Sequence, residues 1–235
     1  VSRGGKENAI PKEAKAVVSV RSCDATTFEQ SIKESAAVWM QEIRATEPYA
    51  KIEVEKTDVA ADKVLNSNST GYVTYALWLS PDGVYKMSQE IKGMVQTSLN
   101  LGTAYLDADK LVYKYLIRSN TAAGKKLLLE RVTTFAKHLS GKVVTMSDYP
   151  AWEYKSDSQL RKICVDSFTN VYGHEPEVTS IHAGLECGLL AGKRQGVDMI
   201  SFGPTLESVH TPDECMDAAS VERTWEYLLE ILKSL

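Results

Sequence analysis

The residues best suited to chemistry crowd one stretch near the carboxyl end, Gly203-Pro204-Thr205-Leu206-Glu207-Ser208-Val209-His210-Thr211-Pro212-Asp213-Glu214. Pro204 and Pro212 stiffen it by fixing φ. His210 lies between them. A neutral imidazole on a stiff loop, with Asp213 and Glu214 close behind to orient it, suits a metal ligand or a proton carrier. The same pattern describes a surface histidine beside acidic neighbours, and a metal site needs several ligands where this stretch offers one strong candidate. A second group is His182-Ala183-Gly184-Leu185-Glu186-Cys187-Gly188. Gly184 permits close backbone approach, so a substrate can lie against main-chain amides at a helix start; a tight turn asks for the same glycine. Glu186 and His182 straddle a strand-to-helix turn and need not share a face. Arg118 ends an alternating apolar run, and its planar guanidinium suits bidentate binding of a carboxylate or an ordinary salt bridge. Asn8 can hydrogen-bond a substrate or its own turn. His138 and His174 sit at a helix end and in a turn and receive no role. The phosphate loop, the dinucleotide glycine fingerprint, HExxH and GxSxG are all missing.

The elements that must position these residues follow from periodicity. Ala14 to Val20 reads as a valine-rich strand and Ile52 to Lys56 as a half-buried one. Between them, Phe28, Ile32, Ala36, Trp39 and Ile43 fall on one helical face, completing a β-α-β unit. Tyr72, Tyr75, Ala76 and Leu79 mark a short helix stopped by Pro81-Asp82-Gly83. Met94 to Thr103 and Leu111 to Arg118 read as two strands joined at Asp107-Ala108-Asp109. The next helix carries Leu128, Leu129, Val132, Phe135, Ala136 and Leu139 and closes at Gly141. Val143 to Met146 is expected as a further strand. Tyr149-Pro150-Ala151-Trp152 breaks the pattern and sets a domain boundary.

Beyond that boundary, Ser156 or Asp157 caps a helix lined by Leu160, Ile163, Cys164, Phe168 and Val171, ending at Gly173. Val178 to Ile181 and Asp198 to Phe202 read as parallel strands of a β-α-β unit, with both chemical stretches at their carboxyl ends, the usual edge of an α/β site. A last helix, from about Ser220, shows Val221, Trp225, Leu228, Leu229 and Leu232 as its core stripe. The fold class is therefore α/β with an α+β portion, a sheet carrying helices on one face.

Composition narrows the function classes. The chain has 235 residues, 43% hydrophobic, with a formal net charge of -4. Mild acidity argues against nucleic acid or an anionic membrane as partner. No apolar run approaches the ~20 residues that span a bilayer, and the amino end lacks a signal-peptide pattern. Four cysteines without CxxC spacing fit free thiols in a reducing cytoplasm. The opening Val-Ser-Arg-Gly-Gly lacks an initiator methionine and reads as the interior of a longer protein.

Several runs together resemble the aminoacyl-histidine dipeptidases, also called Xaa-His dipeptidases or peptidase D, a branch of the M20 metallopeptidases. These are Gly4 to Pro11, Thr97-Ser98-Leu99-Asn100-Leu101-Gly102, Ile117-Arg118-Ser119, Asp148-Tyr149-Pro150-Ala151-Trp152, Ile181 to Gly188, Asp198 to Thr205 and His210 to Glu214, all in family order. The resemblance covers essentially the whole chain. It implies a zinc-dependent α/β catalytic domain with an inserted α+β lid of mixed or antiparallel sheet that dimerises. Residues 1–150 correspond to the lid and 151–235 to the carboxyl-terminal β-α-β part of the catalytic domain. His210 matches the last zinc ligand, Arg118 and Asn8 match lid residues that hold substrate or transition state, Gly184 matches a substrate-binding glycine, and Glu186 lies in the same motif. The resemblance further implies a dipeptide substrate, two zinc ions (manganese or cobalt as alternatives), a homodimer and a cytoplasmic location. The family's other zinc ligands and its general-base glutamate precede the Gly4-Gly5 segment, and four histidines without an HxD motif do not rebuild a two-metal site. Glu207 stands where a histidine is expected. The expectations are thus part of a metallodipeptidase, inactive as this chain alone; an inert binding or dimerisation module; or a related M20 amino-acid deacylase.

Overall fold

The structure is a computed structural model and describes residues 2–4, 7–57, 64–107, 110–180, 186–194, 196–209 and 211–235. Its organising feature is a long antiparallel hairpin. Strand β4 (Val95–Asp107) pairs with β5 (Lys110–Ser119) from Thr97↔Ser119 to Asp107↔Lys110, with one irregularity between Leu101 and Thr103. The opposite edge of β4 takes β3 (Gly83–Met87) and the short β1 (Ser2–Arg3), and β2 (Ala14–Lys15) pairs with β1. Every described pairing is antiparallel.

Helix α3 (Ala122–His138) covers one face of this sheet. Its side chains Leu128 and Val132 meet Leu99 of β4, with Tyr85, Tyr115 and Ile117 packed around them. Leu99 and Leu128 are 2% and 0% exposed; burial of each is worth about 1.5–3 kcal/mol. The alternation of β5 thus does what the sequence requires, placing Tyr115 and Ile117 toward the helix. Burial pushes the Tyr115 phenol up to about 12, against the opposing hydrogen bond with Ser80. That 2.7 Å bond pins the end of α2 (Ser67–Leu79) to the sheet. Asn66 caps α2 by accepting from Ser69 N.

A second core joins α4 (Gln159–Tyr172) to α6 (Ala218–Ser234). Cys164, Tyr227 and Ile231 are buried there, with Leu160, Ile163, Phe168 and Ile200 against them. Tyr227 Oη donates to Cys164 O at 2.9 Å, and its ring meets Phe168 and Phe202 edge-on at 5.4 and 4.9 Å. Burial raises the Tyr227 phenol. Helix α5 (Glu186–Lys193) and a two-stranded hairpin, β6 (Leu206–Glu207) with β7 (Cys215–Met216), complete the chain. The remaining helix, α1 (Ala25–Ile43), follows a short 3-10 turn at Ser22–Asp24.

The α/β class with an antiparallel α+β portion holds, but several expected elements differ. Only Ala14–Lys15 of the Ala14–Val20 run is strand, and Ile52 to Lys56 is not strand, so the opening β-α-β unit does not form. Val143 to Met146 is also not strand; Val144 and Met146 are each 80% exposed, and apolar alternation without a ladder partner leaves the backbone unpaired. Residues 178–180 and 198–202 form no ladder either, so the expected parallel pair is missing among the described residues; Ile181 lies outside them. The 198–202 run packs on helices instead, through Ile200 and Phe202. The cap of α4 is Ser158 rather than Ser156 or Asp157. On α6 the buried face carries Ser220, Tyr227 and Ile231, while Val221, Trp225, Leu229 and Leu232 point outward. Phe28 and Trp39 of α1 are likewise exposed.

Candidate functional site

Arg118 lies opposite Ser98 in the β4–β5 ladder, and Asn100 lies opposite Leu116. Directly opposed residues share a face, as do residues two apart along a strand. Arg118, Ser98 and Asn100 therefore occupy the face turned away from α3, since Leu99 and Ile117 point into the α3 core. Asn100 does specific work there. Its Nδ2 donates to Glu7 O at 2.9 Å and to Ala9 O at 3.0 Å, clasping the turn whose apex is Asn8. The structure thus brings the turn of Asn8, exposed, and Arg118, half-buried, to one face of the sheet, with Asn100, which holds that turn, one two-residue step of roughly 7 Å along the strands from the Arg118 row. Gly4 makes the approach possible. It adopts φ +64°, and a Cβ there would lie 2.0 Å from Gly102 O, a position only glycine fills.

The strand end that carries Arg118 also touches the carboxyl-terminal half. Asn120 Nδ2 donates to Ser180 Oγ at 3.3 Å, so Ser180 lies beside the end of β5. Gly184 itself, with His182, lies outside the described residues. Glu186 is described: it is exposed and opens α5. The next turns of α5 explain the second glycine of its motif. Gly188 is buried, and a Cβ there would sit 2.7 Å from Pro150 O; at Gly192 one would sit 3.0 Å from Pro150 Cγ. Positions i and i+4 share a helix face. Pro150 of the Asp148-Tyr149-Pro150-Ala151-Trp152 run and the Gly188–Gly192 face of α5 are therefore two sides of one contact.

His210 lies outside the described residues, but the frame around it is clear. It falls in the connection of the β6–β7 hairpin. Ser208, at φ 52°, begins the turn, and Thr211 closes on Ser208 O through both N (3.1 Å) and Oγ1 (2.7 Å). Asp213 N donates to Thr211 Oγ1 at 3.2 Å. The hairpin is tied to α6, because Asp217 N donates to Thr205 O at 3.0 Å and Ser220 Oγ accepts from Thr205 N at 2.9 Å. The hydrogen bond from Arg223 holds the Asp217 carboxyl below its ordinary range. Glu207 is exposed on β6.

Asp198, at the head of a run with strand composition, serves as a bracket. It accepts from Ser158 Oγ at 2.7 Å and from Leu160 N at 3.0 Å. Burial pushes its carboxyl up, but the bonds from Ser158 and Leu160 and the nearby Lys155 outweigh that and hold it below the usual aspartate value. Asn100, Asn120 and Asp198 are thus positioning residues that the sequence did not single out. The signals for Asn100 and Asp198 lie in the Thr97-to-Gly102 and Asp198-to-Thr205 runs; nothing local marks Asn120.

A cleft of about 2160 Å³ runs along β5 past Arg118 and Asn120 to Ser180 and the 197–202 run. Its lining includes Arg118, Ser180 and Ala191 near the end of α5, and its size can admit a peptide-sized ligand. Among the described residues no three His, Cys, Asp or Glu side chains are grouped to hold a metal ion. These residues therefore do not by themselves fit a two-metal centre, and the chemistry they offer is binding and orientation.

The model of peptidase family M20/M25/M40 matches residues 8–234. The chain is 30% identical over 233 residues to the cytosol non-specific dipeptidase of Escherichia coli strain K12, covering 99% of this chain and 48% of that protein. It also matches the crystal structure of aminoacylhistidine dipeptidase from Vibrio alginolyticus, with a TM-score of 0.90 and 30% identity, over 100% of this chain and 48% of that one. The chain thus spans about half the length of the relatives it matches.

Proposed function

The chain belongs to peptidase family M20/M25/M40, and from that premise we propose that it forms the lid and the carboxyl-terminal catalytic part of a zinc-dependent cytoplasmic dipeptidase acting on Xaa-His and related dipeptides. The division falls near residue 150, with the lid at 1–150 carrying a homodimer contact and 151–235 returning to the catalytic unit. The observation that supports this reading is the shared sheet face of Arg118 and the Asn8 turn, together with the Asn120–Ser180 bond at the same strand end.

In this reading Arg118 holds the charged oxygens of the dipeptide through paired N–H donors, which fits its geometry better than a lysine would. The Asn8 amide hydrogen-bonds the substrate from the same face. Gly184 offers its main chain to the substrate, and Glu186, which opens α5, belongs to the same motif. His210 is the imidazole this chain contributes to the zinc pair. When bound, the metal pair polarises the scissile carbonyl and lowers the pKa of a water molecule. The remaining ligands are expected in the half of the relatives that this chain does not span, so the 235-residue chain alone is expected to hydrolyse nothing. A second reading, an inert binding or dimerisation module, draws on the absence of a metal-ligand group among the described residues.

The test is hydrolysis of Xaa-His dipeptides by the full-length gene product and its Arg118→Met variant. Loss of a charge-assisted bidentate contact is expected to lower kcat/KM about 100-fold, equivalent to roughly 2.7 kcal/mol, with metal content unchanged. Unaltered kcat/KM removes Arg118 from the site. Turnover of N-acyl amino acids in place of dipeptides moves the assignment to a deacylase.

A further inference from the structure

The six residues from Asn120 to Lys125 reach across the chain three times. Asn120 Nδ2 bonds Ser180 Oγ at 3.3 Å. Ala122 N donates to Glu153 Oε1 at 3.0 Å. Lys125 Nζ donates to Asp148 Oδ1 at 2.6 Å and to Tyr149 O at 2.7 Å. The amide of Ala122 belongs to the first turn of α3, where backbone donors lack an intrahelical acceptor and a carboxylate is favoured. The Lys125 side chain is 29% exposed, so its bonds are only partly screened by water.

These contacts matter because of what lies on either side. On one side, the start of α3 is pressed onto the strand end that carries Arg118. Thr97 Oγ1 and Ser119 Oγ are 2.8 Å apart, Gly124 N donates to Thr121 Oγ1 at 3.1 Å, and a Cβ on Gly124 would lie 2.5 Å from Ser119 Oγ. On the other side, Pro150 of the same strap seats against Gly188 and Gly192 of α5, the helix that begins at Glu186. The strap at 148–153 is thus held between the start of α3, just after Arg118, and the face of α5 that carries Gly188 and Gly192.

We propose that Asn120, Lys125 and Glu153 are positioning residues that set the separation between Arg118 and helix α5, and hence the fit of the dipeptide. The proposal rests on the reading of the site given above. Loosening the strap shifts one wall of the site against the other without removing a group that touches substrate. The effect therefore falls on substrate capture before it falls on the chemical step.

The experiment compares the full-length protein with Lys125→Met and Glu153→Ala, and with the conservative Lys125→Arg and Glu153→Gln. Steady-state dipeptide hydrolysis and hydrogen exchange at residues 148–155 and 186–194 are read together. KM is expected to rise about tenfold in Lys125→Met and Glu153→Ala, within the range for a displaced binding wall, while kcat stays within about twofold. Glu153→Gln, whose amide oxygen still accepts from Ala122 N, is expected to restore most of the lost affinity. Exchange in 148–155 and 186–194 is expected to quicken in the two disruptive variants alone. A KM unchanged in both disruptive variants overturns the proposal, as does an equal loss of kcat and melting temperature in all four. If the unmodified protein hydrolyses no dipeptide, the proposed function falls by itself. The clamp is then decided by exchange: quickening at 186–194 on altering Lys125 or Glu153 supports it, and unchanged exchange overturns it.

Discussion

The sheet half and the carboxyl-terminal half solve the same problem differently. In the first, β4 and β5 are neighbours in sequence, satisfy each other's backbone along ten register pairs, and turn one face to α3. In the second, α4 and α6 are far apart in sequence and share a small core around Cys164, Tyr227 and Ile231, while the 198–202 run beside them has no ladder partner among the described residues. The lesson concerns how each core is closed: the β4–β5–α3 core by segments adjacent in sequence, the α4–α6 core by segments far apart. Both halves show apolar surface, with Trp39 and Trp78 at 56% and 79% exposure in the first and Trp225 and Leu232 at 59% and 58% in the second; large apolar surface of this kind usually marks an interaction face.

Mutations can break this comparison, and the largest effect is expected in the sheet half. Leu128→Ala removes a fully buried side chain and is expected to cost about 3–4 kcal/mol in chemical denaturation, whereas Trp225→Ser on α6 is expected to change stability of this chain by less than about 0.5 kcal/mol. Equal costs at the two positions contradict the contrast. A smaller effect is expected at Asp198, whose two acceptor bonds tie the 198–202 run to the start of α4. Its folded carboxyl lies below the ordinary value near 3.8, so its contribution is present above that value and lost as pH falls through the folded one. Asp198→Asn is therefore expected to cost about 1–2 kcal/mol at pH 7, and the two proteins are expected to converge in stability once pH has fallen through the folded carboxyl's value. A difference that persists unchanged to low pH contradicts the bracket.

The two halves also differ in how legible they were. The helix from Ala122 to His138 was readable because Leu128, Leu129, Val132, Phe135 and Ala136 recur at helical spacing on a segment packed against one sheet. The long hairpin was readable because β5 alternates and its pairing is local. The last helix was found, but its face was not. Trp225 and Leu232 are more apolar than Ser220 and Tyr227, yet the latter pair turns inward because Ser220 bonds Thr205 N and Tyr227 bonds Cys164 O. Strand character in 198–202 was real composition without a ladder, and Asp198 was spent on a helix start. Arg118 and Asn8 could be named from motifs; that Asn100 clasps the Asn8 turn, and that Gly188 seats Pro150, depends on contacts 91 to 93 residues apart in one case and across the strap in the other. Spacing along the chain carries no trace of either.

The most direct measurement is metal-dependent hydrolysis of an Xaa-His dipeptide by the full-length gene product beside its His210→Ala variant, with zinc content determined on both. The account predicts turnover in the unmodified protein, loss of at least about 1000-fold in the variant, and less bound zinc. Full activity and full zinc in the variant would contradict the ligand role of His210, and turnover by the 235-residue chain alone would contradict the division of the site on which the account stands.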